Sequence, residues 1–80
     1  MEPAIAFGRA LRRRRTEAKL SQEKLALAAD IERVYVSWLE TGKRQPTFGM
    51  MLKISGALSC SAADLVAEAE AIVKAASENS

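Results

Sequence analysis

Gln22, Arg33, Tyr35, Ser37, Lys43 and Arg44 are all hydrogen-bond donors, and three of them carry positive charge. Side chains of this kind hold phosphates, and an arginine can take guanine O6 and N7 together. Val34, beside Arg33, is the right size to meet a thymine methyl. The chain has no His and one cysteine, Cys60, which excludes the usual zinc sites and His-based catalysis. No glycine-rich phosphate loop or positioned pair of carboxylates is present, so no enzyme activity, cofactor or metal is expected. The net charge is only +2, but it is unevenly spread. Residues 1 to 60 carry 11 basic and 6 acidic side chains, and residues 61 to 80 carry 1 and 4. A polyanion partner therefore suits the first part, and the tail suits another role.

These donors need rigid elements to aim them. Ser21 is a favoured N-cap, and Leu25, Ala26 and Ala29 make a narrow apolar stripe, so a helix is predicted over 22–28. Ala29-Asp30 reads as a left-handed break with Ile31 as an apolar plug beneath the turn. A second helix over 33–41 puts Val36, Leu39 and Glu40 on one side and Arg33, Val34, Ser37, Trp38 and Thr41 on the other. Gly42 ends it. A longer helix over about 4–18 precedes this pair, with Pro3 near its first turn and Ile5, Phe7 and Leu11 as apolar contacts. Thr47 caps a helix over 48–58 with Met51, Ile54 and Leu58 on one stripe. Ser61 caps another over 62–76, with Asp64 completing a capping box. Eighty residues make one all-α domain over 1–76, and Glu78-Asn79-Ser80 reads as a frayed end. No apolar run approaches a membrane span and the N-terminus lacks a signal-peptide pattern, so a cytoplasmic location is expected.

Phe7-Gly8, Leu11-Arg12, Arg15, Leu20-Ser21-Gln22-Glu23, Leu25-Ala26, Ser37, Glu40, Gly42, Pro46 and Leu58, in this order and with these gaps, resemble the Cro/phage-repressor type of helix-turn-helix domain, the xenobiotic-response-element family. The resemblance covers Phe7 to Leu65. It implies a compact five-helix domain of the lambda-repressor-like type that binds double-stranded DNA through the helix starting at Arg33.

Site roles follow from the residues and from the resemblance together. Gln22 stands at the first turn of its helix, where free N–H groups attract a phosphate, and the family uses a glutamine there. Arg33 is the expected base reader, with Tyr35 and Ser37 donating to phosphates on the flanks. The family places the loop from Thr41 to Pro46 along the DNA backbone, which makes Lys43 and Arg44 phosphate clamps. Trp38 occupies a position usually small or polar, and it either stacks on DNA sugars and thymine methyls or folds onto neighbouring side chains. Arg15 holds the family position that pairs with the acid ending the recognition helix, here Glu40. An inward carboxylate beside Leu39 needs such a partner in any case. Arg13 is expected to be exposed, and Arg14, where the family more often has an apolar residue, to lay its stem over the core edge. Cys60 is expected to be a small apolar filler.

Met50, Val66, Ile72 and Val73 exceed what a five-helix core needs, which suggests self-association. In small family members the last two helices often form a two-fold interface. The resulting expectation is a homodimeric transcriptional regulator, a Cro-like repressor type, on a palindromic operator. Stand-alone members include restriction–modification controllers, phage or plasmid repressors and antitoxins, and Arg33-Val34-Tyr35-Val36-Ser37 leans toward the controllers. The alternative is a protein-interaction module, antitoxin-like, using the same fold to bind a partner protein.

Overall fold

The computed structural model describes residues 1–78, and among these there are five helices and no strand. They are α1 (Pro3–Glu17), α2 (Gln22–Ala29), α3 (Arg33–Glu40), α4 (Phe48–Ala57) and α5 (Ala62–Glu78). Their starts are local events. The Ser21 and Thr47 hydroxyls accept the N–H groups of Lys24 and Met50 at 3.0 and 3.1 Å. Ser61 and Asp64 form the reciprocal box: the Asp64 N–H donates to Ser61 Oγ at 3.0 Å, and the Ser61 N–H donates to Asp64 Oδ2 at 3.1 Å. The Ser61 N–H, followed by the Ser61 hydroxyl, holds the Asp64 carboxyl below its ordinary pKa.

The helix ends share one device. Lys19, Asp30 and Ser59 all take a left-handed backbone, with φ of 60°, 57° and 56°, and Gly42 takes φ of 77°. In each case the next N–H reaches back to the helix: Leu20 to Arg15 O, Ile31 to Ala26 O, Lys43 to Trp38 O and Cys60 to Ser55 O. The predicted break at Asp30 is one of four such turns. Lys19 and Ser59 carried no comparable sequence signal, because neither residue type favours this conformation.

The core is Phe7, Leu11, Leu25, Ala26, Ala29, Val36, Leu39, Ile54 and Leu65, drawn from all five helices. Leu20, Ile31, Met51, Leu58 and Cys60 pack against it, partly buried. Helix α1 lies along α5 and crosses α3, α2 packs on α3 and α4, and α4 packs on α5. Gly8 makes the α1–α3 crossing possible. A Cβ there would sit 2.6 Å from Glu40 O and would also overlap Leu39 O.

Three expectations need correction. Ile5 is outside the buried core, 38% exposed, and its apolar contact is with Gly42 at the domain edge. Arg14 does not merely lay its stem over the core edge, since its Nε donates to Glu68 Oε2 on α5 at 3.0 Å. Helix α5 runs to Glu78 rather than ending at 76, and the expectation for Asn79 and Ser80 lies outside the described residues.

Candidate nucleic-acid interface

The helix pair is set by burial on one side only. Leu25, Ala26 and Ala29 from α2 and Val36 and Leu39 from α3 are buried, which fixes how α3 leaves the turn. The opposite side of α3 is then presented to solvent. Arg33, Val34 and Thr41 are exposed, and Tyr35, Ser37 and Trp38 are half-buried. Lys43 and Arg44 are exposed in the loop that follows. The outward face is therefore a short rod of donors and one small apolar side chain, flanked by basic residues, of a width that enters a major groove.

Beneath that face lies a polar chain. Arg15 Nε donates to Glu40 Oε2, and Arg15 Nη2 donates to Glu40 Oε1 at 3.0 Å. Arg15 Nη1 also donates to Leu20 O at 2.9 Å. The pair is nearly dry, with side-chain exposures of 13% and 3%. Its hydrogen bond to Glu40 raises the Arg15 pKa above the ordinary guanidinium value, more than burial lowers it. Gln22 Nε2 donates to Glu40 Oε1 at 3.1 Å, and Gln22 Oε1 accepts from Arg33 Nη1 at 3.4 Å. The buried ion pair thus runs through Gln22 to the outward arginine. No sequence signal marked Gln22 as a link, because its two partners lie 18 and 11 residues away in the chain.

The loop is tied to the recognition helix as well. The Thr41 hydroxyl donates to Ser37 O at 2.9 Å, so its proton is already used within the chain. The Arg44 guanidinium lies over the Trp38 ring, 5.0 Å from its centroid, and Tyr35 flanks the same ring at 6.3 Å. One of the two expectations for Trp38, contact with neighbouring side chains, is therefore present in the chain by itself.

The residues expected to drive self-association differ in exposure. Met50 packs against the core and lines a notch with Val34 and Trp38, and Ile72 faces α1 beside Ala10 and Arg13. Val66 is 45% exposed next to Pro46, and Val73 is half-buried. The largest apolar exposure on α4 belongs instead to Phe48, 68%, and Leu52, 50%. Their i, i+4 spacing, off the Met51-Ile54-Leu58 stripe, was the signal available for them.

A helix-turn-helix family model matches residues 11–65. The control protein C.BamHI of Bacillus amyloliquefaciens is 38% identical over 63 residues, covering 78% of each chain. The restriction-modification controller protein C.AhdI of Aeromonas hydrophila superimposes with a TM-score of 0.76 at 37% identity, covering 78% of this chain and 94% of that one. The clp gene regulator ClgR of Corynebacterium glutamicum superimposes with a TM-score of 0.87 at 30% identity, covering 99% and 86%. No single helix among the described residues is long and apolar enough to cross a membrane. With the family's motif spanning its centre and gene regulators as its relatives, the chain belongs to the xenobiotic-response-element type of helix-turn-helix proteins and is a DNA-binding regulator.

Proposed function

We propose that this regulator binds a palindromic operator in double-stranded DNA as a homodimer, in the manner of a restriction–modification controller. The observation that carries this reading is the outward face of α3, with Arg33 and Val34 exposed at its N-terminal end and Lys43 and Arg44 exposed beyond its C-terminal end. In this reading Arg33 takes a guanine edge and Val34 a thymine methyl. Gln22, Tyr35, Ser37, Lys43 and Arg44 hold phosphates, and Thr41 serves through its oxygen while its proton stays on Ser37 O. Arg15 and Glu40 hold the helices that carry these groups. One recognition helix covers few base pairs, so specificity needs two, their centres about 34 Å apart on one face of the duplex. Phe48 and Leu52 on α4 with Val66 and Val73 on α5 supply apolar surface for the two-fold contact. The two controllers share more identity with the chain than ClgR does, which favours the controller class. A site of action on DNA implies the cytoplasm.

Selection of duplexes from a random pool, followed by sequencing, tests this directly. The expected product is a palindrome whose half-sites lie one helical turn apart, bound by a dimer in sedimentation. Arg33→Ala should weaken that site by about 1 to 3 kcal/mol and relax the selected sequence at one position per half-site. An unchanged selection profile removes Arg33 from base reading. A wild-type protein that stays monomeric on the palindrome at tens of micromolar contradicts the dimer and favours a partner-binding module.

A further inference from the structure

Trp38 is the single tryptophan of the chain and sits where the recognition helix meets its following loop. Its carbonyl accepts the N–H groups of Lys43 and Arg44 at 2.9 and 3.4 Å. Its ring carries the Arg44 guanidinium at 5.0 Å, with Tyr35 inclined at 58° beside it. Among the described residues no carboxylate forms an ion pair with Arg44, so the protein leaves that charge unneutralised. Backbone and ring of one residue thus fix the loop and aim its arginine.

We propose that Trp38 is a positioning residue that holds Arg44 ready for a DNA backbone phosphate. The guanidinium carbon lies over the ring, and among the described residues no hydrogen bond engages the Arg44 side-chain N–H donors, so they stay free for a phosphate. A long side chain already restrained in the free protein loses less rotamer freedom on binding. Trp38 then contributes to affinity without touching DNA itself. This inference rests on the DNA-binding reading above and adds a role which that reading does not require.

A double-mutant cycle on the selected duplex tests it. Trp38→Leu should weaken binding about two- to five-fold, the range of an exposed cation–π contact, and should have no further effect once Arg44→Gln is present. Arg44→Lys keeps the charge but not the planar fork and should lose about as much as Trp38→Leu. Equal losses from Trp38→Leu in both backgrounds would overturn the proposal, since direct stacking on DNA or a structural role acts whether or not Arg44 is present. Should Trp38→Leu fail to fold, the emission of the single tryptophan decides the matter in DNA-free protein. Arg44→Gln should shift that emission by removing the cation from the ring, and an unchanged spectrum overturns the stacking. Absence of any selected duplex for the wild type would remove the DNA-binding reading, and this inference with it.

Discussion

Arg14 and Arg15 are consecutive residues of α1, and each donates to a glutamate on another helix at hydrogen-bonding distance. The rotation of about 100° between consecutive helical residues separates their fates. Arg15 points to the α1–α3 crossing, where Gly8 lets the backbones close and Glu40 is almost sealed from water. Arg14 points along α5, where it and Glu68 keep roughly a third of their side-chain surface exposed. The two pairs have the same chemistry, but they differ in what is left behind when one partner is lost. Removing a partner at the dry crossing strands a charge without water, whereas at the α5 edge solvent takes over. In both pairs the hydrogen bond to the glutamate raises the arginine pKa, so the direction of that shift does not distinguish them.

Glu40→Ala sets the upper end of the comparison. It strands Arg15 and leaves the Gln22 amide without its acceptor, and should cost about 3 to 5 kcal/mol in urea unfolding. A loss within about 0.5 kcal/mol, the scale of an ordinary surface site, would place this pair with the Arg14 pair and dissolve the contrast.

Gly8→Ala attacks the same crossing without touching a charge. The new methyl overlaps the Leu39 and Glu40 carbonyls, both backbone atoms that cannot swing aside, so a cost of about 1 to 3 kcal/mol is expected. Because the helices must separate, Arg15 exchange in NMR should change while the Arg14–Glu68 contact is retained. Wild-type stability in Gly8→Ala would show that the crossing has slack.

Glu68→Gln should move the urea midpoint only slightly, and the small difference should shrink further as salt screens the exposed pair. A loss approaching that of Glu40→Ala would mean that burial is not what separates the two arginines.

The smallest effect is acid-dependent and lies at the α5 cap, one turn before Glu68. The Ser61 N–H and hydroxyl contacts hold the Asp64 carboxyl below 3.8, its value when unfolded. A lowered folded value means that the unfolded chain binds the proton first, so the Asp64 contribution is fully present above about 3.8 and disappears as pH falls through the lower folded value. The stability gap between wild type and Asp64→Asn should therefore narrow between pH 5 and pH 2. A gap that widens on acidification would contradict the assignment.

The sequence by itself determined the five helices, the caps at Ser21, Thr47 and Ser61, the left-handed stop at Asp30 and the glycine stop at Gly42. Each depends on residues at most a few positions apart, where the geometry of a helix end leaves few choices. The inward side of α3 was legible for the same reason, and the Arg15–Glu40 pair came from the family pattern together with the need of a buried carboxylate for a cation. Tertiary structure alone decided that Arg14 meets Glu68, 54 residues away, that Gln22 joins the buried pair to Arg33, and that Arg44 lies on Trp38. It also decided which apolar residues remain exposed, giving Met50 and Ile72 neighbours within the chain and leaving Phe48 and Leu52 outside. Periodicity tells which residues share a helix face, but not which other helix that face meets. That depends on crossing angles set by the smallest residues at each contact, such as Gly8, and these act between segments whose separation in sequence carries no local signal.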